Sequence, residues 1–330
     1  MRTTIKQVSA AAGVSVTTVS RVLNKEPYVK ADTRRKVEAA VAALNFRPST
    51  AARALAGQRA HQVALIYNNP SPYYIYNIQA GARAHCLERG FRVIFQECDA
   101  AAPELLEDVL GLIEETHLDG LILSPPVSDA RDVIAELTRR GVPFVRIAPG
   151  RDLSVSPFVH MDDIAAAEQM TDHLVSLGHR DIGFVIGHPD HVASAQRLKG
   201  YRRSLRRHGI AVDPDRVVQG SFDFPSGQKA GRAMLSGADR PSAIFASNDD
   251  MAAGVLAAAH EHGLSVPDDV AIAGFDDSDL ARAVWPSLTT IRQPVRELAH
   301  AAAKLLIDKG GHTGQLLRHE LIIRGSTQKR

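Results

Sequence analysis

The sequence predicts an all-α helix-turn-helix headpiece followed by an α/β body of two lobes, each a doubly wound parallel sheet. Three observations predict it. Apolar residues recur at three- and four-residue spacing as far as Leu44, which reads as short helices. From His61 onward, short apolar runs bounded by turn residues alternate with longer amphipathic stretches, the pattern of strands joined by crossover helices. Between these regions the charge changes sign: residues 1–59 carry eleven Lys/Arg against three acids, a charge of +8, while the remainder carries 28 basic against 34 acidic residues, a charge of −6. Clustered cations suit a polyanion, because neutralising phosphates releases counterions, and a body that binds a small soluble ligand does not need them. Solvated surface charge is the plainer alternative.

The headpiece spans residues 1–47. Within it, IKQVSAAAGVSVTTVSRVLN (5–24) reads as helix, turn and helix. Gly13 supplies the positive φ of a tight turn, Val8, Val14, Val19 and Val22 hold the two helices together, and Ser15 stands at the N-cap of the second. With Val19, Val22 and Leu23 inward, Val16, Thr17, Ser20 and Arg21 fall on the outer face. Thr and Val methyl groups suit thymine methyls in a major groove, and Arg can grip guanine with two bonds. An ordinary helical hairpin with surface Thr and Arg fits the spacing as well. A third helix ends before Pro48, since proline disfavours helix in the residue before it.

Residues 48–60 form a hinge. Its alanine-rich stretch is too short to hold a helix alone in water, because nucleation costs more than one or two turns repay. A second copy packed through Ala51, Ala52 and Leu55 would let two such helices form together. A plain linker is the alternative.

In the body, the apolar runs are QVALIYNN (62–69), FRVIFQEC (91–98), DGLILSPP (119–126), VPFVRIAP (142–149), DIGFVIG (181–187), SAIFASND (242–249) and VAIAGFDD (270–277), with an irregular middle at 149–161. Two lobes are expected, 61–159 with 293–319 and 160–292 with 320–330. Ligands of doubly wound sheets sit at the carboxyl ends of the strands. The residues there are polar and aromatic: Tyr67, Asn68 and Asn69, Asn248 and Asp249, and Asp276 and Asp277; with Tyr73, Tyr74, Arg197, Phe222 and Gln293 from other motifs they form the candidate effector site. Carboxylates, amides and guanidinium groups grip adjacent hydroxyls and an aromatic ring covers the apolar face of a sugar. Each residue also has a structural alternative: Asn248 and Asp276 suit helix caps, Phe222 the core, and Arg197 an ion pair.

Two long stretches carry a resemblance. TIKQVSAAAGVSVTTVSRVLN with YVKADTRRKVEAAVAALNFRPSTAARALAG resembles the DNA-binding head of the lactose-repressor/galactose-repressor (LacI/GalR) family of transcriptional regulators. LGHRDIGFVIG, RLKGYRRSL, PSAIFASNDDMAAGVLAAAHEHGLSVPDDVAIAGFDD and PSLTTIRQP resemble its body, itself similar to periplasmic sugar-binding proteins. The resemblance implies a repressor of carbohydrate catabolism genes that is a homodimer on double-stranded, pseudo-palindromic operator DNA. It implies base-edge roles for Val16, Thr17 and Arg21, a minor-groove wedge at Leu55, and effector contacts at Arg197, Phe222, Asn248 and Asp276. The DNA-contact set expected on this basis is Thr4, Ser15, Val16, Thr17, Thr18, Ser20, Arg21, Asn24, Tyr28, Ala52 and Leu55. YNNPSPYYIYNIQAG, PFVRIAP, VHMDD and GHPDH resemble a subgroup linked to salicin and other β-glucosides. Departures are Ser9 in the first helix, Lys30 where a Ser usually caps the third, and Ala148-Pro149 where many sugar-responsive relatives carry Asp. Arg146 or the Asn68/Asn69 pair is the expected substitute there.

No HExxH, P-loop, G-x-S-x-G or G-x-G-x-x-G constellation is present, so neither catalysis nor a cofactor nor a metal is expected, and His188 and His191 read as surface or loop residues. No run approaches a membrane span and no signal-peptide core is present. A cytoplasmic protein is expected, with Cys86 and Cys98 reduced and packed inside. The rivals are an activator or corepressor-type regulator of the same family, a sugar-binding protein of a transport system, expected to have a signal peptide and no basic head, and an α/β enzyme with an accessory DNA-binding domain.

Overall fold

Thr4 starts the first helix, α1 (Ile5–Ala12), through a reciprocal cap: Gln7 N–H donates to Thr4 Oγ1 at 3.4 Å and Thr4 N–H to Gln7 Oε1 at 2.8 Å. The computed structural model describes residues 3–23, 26, 28–46, 60–237, 239–309 and 314–328. Helix α1 ends at Gly13, whose φ of 64° lets its N–H turn back on Ala10 and Ser9. The second helix, α2 (Val16–Leu23), is capped by Ser15, whose Oγ accepts from Thr18 N–H at 3.1 Å. The third, α3 (Ala31–Ala43), has no side-chain cap from Lys30; Asp32 sits in its first turn, near the positive end of the helix dipole, paired with Arg35. Val8, Val19, Val22, Val37 and Phe46 meet in one small core. The Ser9 hydroxyl bonds Val14 O at 2.5 Å and so ties α1 to the turn.

The chain divides into two compact units at His61/Gln62. Apart from Ala60, the expected hinge at 48–60 lies outside the described residues. In the larger unit one lobe is a parallel sheet of order β11-β5-β4-β3-β1-β2, formed by β1 (Gln62–Tyr67), β2 (Arg92–Glu97), β3 (Gly120–Leu123), β4 (Phe144–Ile147), β5 (Phe158–Met161) and β11 (Gly314–Leu317). Side chains alternate across it. Val63, Leu65 and Ile122 face the cluster under α4 (Pro72–Glu88) and α12 (Val295–Asp308), and Ala64, Ile66, Leu121 and Leu123 face α5 (Leu105–Thr116) and α6 (Arg131–Arg139).

The other lobe repeats the plan with order β7-β6-β8-β9: β6 (Ile182–Ile186), β7 (Val217–Gln219), β8 (Ala243–Ala246) and β9 (Ala271–Ala273). Phe184 and Phe245 pack against α7 (Asp163–Ser176) and α8 (Val192–Arg207). Val185 and Ile244 pack against α9 (Phe224–Leu235) and α10 (Asp249–Glu261), which meet backbone to backbone: a Cβ on Gly227 would lie 2.2 Å from Met251 O. The short α11 (Asp279–Ala283) follows β9. The antiparallel pair β10 (Thr290–Arg292) and β12 (Glu320–Ile322) closes this lobe, so the chain passes between lobes three times, after β5, β10 and β11.

The irregular middle expected at 149–161 contains strand β5. Its four residues are too few to show a period, and one of its two partners, β11, is remote in sequence. Strands β7, β10, β11 and β12 also fall outside the expected runs, each three or four residues long. Cys86 and Cys98 are free and buried, and burial pushes both thiols up to about 11. Among the described residues no helix is long and apolar enough to cross a membrane.

Candidate functional site

On the headpiece, the first residues of α2 form its outer face. Val16, Thr17 and Arg21 are exposed, Thr18 and Ser20 are half-buried, and the Ser15 and Thr18 hydroxyls lie 2.8 Å apart. Tyr28, 94% exposed, and Val16 present apolar surface that the small core leaves unused. Arg21 Nε is 3.7 Å from Glu26 Oε2 in a loose, exposed pair that a competing partner can break cheaply. Thr4 is exposed at the N-terminus of α1, where backbone N–H groups suit a phosphate. Asn24, Ala52 and Leu55 lie outside the described residues.

In the body, both lobes have strand orders that reverse beside their first strand, and the loops after the strands on either side of each reversal face a common cleft. A cavity lies there, part of it open to solvent. Asn69 follows β1, Pro125 follows β3 and Ala148 follows β4; His191 follows β6, Phe222 follows β7, Asn248 follows β8 and Asp276 follows β9. Ser71, Tyr74, Asp163, Ala193, Arg197 and Gln293 complete the wall.

Arg197 is buried and held on three sides. Its Nε donates to Asp163 Oδ1 at 2.8 Å, its Nη1 to Ser247 O at 2.6 Å, and its guanidinium carbon lies 3.7 Å from the Phe275 ring centroid. Among the described residues nothing pairs with Nη2, so that donor is left for the cavity. Asp276 Oδ1 accepts from Gln293 Nε2 at 2.6 Å. Burial, then the neighbouring Asp249, pushes the Asp276 carboxyl well above the usual range, against the pull of Arg197. Asn248 caps α10: Oδ1 accepts from Met251 N–H at 2.9 Å, and Nδ2 donates to Phe222 O at 2.9 Å and to Asp250 Oδ2 at 3.2 Å. Its amide thus fixes the Phe222 backbone as well as lining the wall. Gly187 makes room for the Phe222 ring, which a Cβ there would meet at 2.0 Å.

Three wall residues have left-handed backbones: Ala148 at φ 44°, Phe222 at 63° and Asp276 at 123°. Such conformations disfavour residues with a Cβ and persist only where the surroundings enforce them, a pattern common at ligand clamps.

Tyr67 and Tyr73 are not on the cavity wall. Tyr67 packs against the core under α4, and the Tyr73 hydroxyl spans the lobes to Asp276 O at 3.4 Å. Arg146 is a correction. It is fully buried, with Nε on Ser156 Oγ at 3.0 Å and the remaining donors on the carbonyls of Ser128, Arg151 and Asp152, so it braces the loop after β4 and has no free edge for a hydroxyl. His191 is a second correction. It is buried beside Phe222, and burial, with His188 and Arg197 nearby, pushes its imidazole down to about 4, which keeps it neutral at pH 7. No sequence pattern singles out Asp163, Ser71 or Asp250. The Asp163 signal was a helix start after a strand too short to read; Ser71 offered only a polar residue ahead of Pro72, and its hydroxyl donates to Asp250 Oδ2 on the other lobe at 2.9 Å.

Comparison with known proteins gives two family matches: "Bacterial regulatory proteins, lacI family" over residues 4–49 and "Periplasmic binding protein-like domain" over residues 171–327. The ribose operon repressor of Escherichia coli (strain K12) is 33% identical over 309 residues, 93% of this chain and 92% of the repressor. Among solved structures, the Lac repressor dimer bound to operator and the anti-inducer ONPF is 28% identical, with a TM-score of 0.88 and full coverage of both chains. The transcriptional regulator CelR in complex with cellobiose is 30% identical, with a TM-score of 0.75, covering 98% of this chain and 100% of that one.

Proposed function

Because this chain belongs to the lacI family of DNA-binding transcriptional repressors, which are not enzymes, we propose that it represses carbohydrate catabolism genes under the control of a sugar or β-glucoside held between its lobes. The observation that carries this reading is the unused polar edge of the cleft. Arg197 Nη2 and the second oxygen of Asp276 meet no partner among the described residues, on a wall that also bears the Phe222 ring. A guanidinium donor and a carboxyl oxygen beside an aromatic face match adjacent hydroxyls on a pyranose, each of which can donate or accept. The cellobiose complex of CelR and the ribose operon repressor, both relatives by sequence, support a carbohydrate.

The DNA contacts proposed are Thr4, Ser15 to Thr18, Ser20, Arg21 and Tyr28, with Asn24, Ala52 and Leu55 added from sequence. The operator is proposed to be a pseudo-palindrome read by a homodimer in the cytoplasm, as the operator-bound Lac repressor dimer supports. Inducing effector acts through its preference for one arrangement of the lobes, and can shift operator affinity by no more than that preference.

A thermal-shift screen of monosaccharides, disaccharides and β-glucosides, with nucleosides in the same panel, tests the effector class. A binder at 100 times its dissociation constant stabilises by about 2.7 kcal/mol. Release of a fluorescent operator duplex by the same compound establishes induction; tighter operator binding would make it a corepressor, and a response to nucleosides alone would overturn the carbohydrate reading.

A further inference from the structure

Away from the cleft, at the opposite end of α4, His85 is only 3% exposed and neither of its ring nitrogens makes a hydrogen bond. A buried polar atom left so is costly and calls for an explanation. Carboxylates face both nitrogens at a distance too long or an angle too poor for a bond. Nδ1 is 3.4 Å from Glu88 Oε2, and Nε2 is 3.6 Å from Asp308 Oδ2. His300, on α12, brings its Nε2 to 3.8 Å from the same Glu88 oxygen, with the two imidazole rings edge to face at 5.0 Å.

We propose that His85, Glu88 and His300 form a binding site for a divalent transition metal of the zinc class, with the remaining position open to water. The ligand atoms all lie within 4.8 Å of one another, the one such group among the described residues. Ligands about 2.0–2.2 Å from a tetrahedral ion stand roughly 3.4 Å apart, so the Glu88 oxygen is within a few tenths of an ångström of the spacing needed to each histidine. Two imidazoles and a carboxylate suit zinc and its neighbours better than calcium or magnesium, which prefer oxygen. His85 and Glu88 are three residues apart and share one face of α4.

A second shell is in place. Asp308 stands behind His85 on the side away from the site, where it would accept from Nε2 and hold the tautomer that offers Nδ1 to the ion. Arg89 Nη2 in turn fixes Asp308 Oδ2 at 2.9 Å. The two helices pack backbone to backbone beside the site, where a Cβ on Gly81 would lie 2.0 Å from Arg296 O. Ions have a way in, because the side chains of His300 and Glu88 are 38% and 63% exposed. The ion would clip the C-terminal end of α4 to α12, some 17 residues from the end that carries Ser71 and Tyr74 to the cleft.

The test uses the untagged full chain, stripped with chelator and titrated with Co²⁺ as a spectroscopic probe. The expected result is one equivalent of cobalt with the visible absorption of a four-coordinate site, and a raised melting temperature with Zn²⁺. Both effects are lost in His300→Ala and in Glu88→Gln, partly exposed positions whose replacement leaves the fold intact. Asp308→Asn keeps the band but weakens cobalt binding about 10–100-fold. The proposal is overturned if wild-type protein gives no such absorption, or if His300→Ala and Glu88→Gln bind cobalt as wild type does. Neither outcome depends on the identity of the effector.

Discussion

Ser71 on one lobe donates its hydroxyl to the Asp250 carboxylate on the other at 2.9 Å, a direct bond across the mouth of the cleft. It is reinforced by Asn69 Oδ1, which accepts from Ser71 N–H at 2.9 Å and holds the loop in place. Hydrogen bonds to charged groups contribute about 1.5–3 kcal/mol. Ser71→Ala and Asp250→Ala are each expected to lower effector affinity roughly tenfold, and in a double-mutant cycle the two losses should not add. Additive losses by calorimetry would show that the bond is not made when effector is bound.

Asp276 and Arg197 both offer a free edge to the cavity, yet their replacements differ. Arg197→Ala strands Asp163 as a buried charge without its partner, which costs about 3–5 kcal/mol of stability in addition to any effect on the ligand. Asp276→Asn keeps the volume and should abolish or sharply weaken effector binding with the melting temperature little changed. Normal effector affinity in Asp276→Asn would remove this residue from the site.

Gly187→Ala places a methyl group in the Phe222 ring. The ring must swing away, and effector affinity should fall while operator binding without effector stays near wild type. Unchanged affinity would mean that Phe222 covers no part of the ligand.

Burial pushes Asp249 up to about 7, with the Thr290 hydroxyl and Ser278 N–H pulling the other way, and pushes Asp276 up as well. An acid whose pKa is higher in the folded chain keeps its proton after the unfolded chain has lost it. Its contribution to stability therefore declines as pH rises from about 4 to 7. His191, pushed down to about 4, acts in the opposite sense over about pH 4 to 6.5, where acidification protonates only the unfolded chain. Asp249→Asn retains an acceptor for Ser278 N–H and cannot titrate, so its melting temperature should lose less than wild type between pH 5 and about 7. Parallel curves for the two proteins would refute a protonated Asp249.

Arg21→Ala should weaken binding to the specific operator by about 1–3 kcal/mol and leave the effector response intact. Titration against random duplex separates the possibilities: an equal loss there would make Arg21 a phosphate contact.

Much of this layout is legible in sequence because the chemistry follows strands long enough to read. Asn69, Asn248 and Asp276 each end an apolar run, and Arg197, Phe222 and Gln293 sit in motifs with polar or aromatic character. Asp163 is hidden because Phe158–Met161 is short and carries His160 in its middle. Arg146 misleads for a different reason. All four residues of β4 are buried, so alternation cannot tell which side chain points at the cavity and which at the loop behind it. His191 is invisible as a cleft residue because its burial comes from Phe222, which lies 31 positions away in the chain.

The three passages between lobes also govern how the protein is made. The first lobe gains α12, whose Leu298, Ala302 and Leu306 fill its core, and its edge strand β11 only from the last 36 residues, and the second lobe waits for β12 and Ser326. At about 5–20 residues per second, neither lobe can close during most of the time the chain spends on the ribosome. The apolar face of α4 is uncovered for that interval. The headpiece, a compact unit with its own small core, therefore emerges well before any site exists to control it.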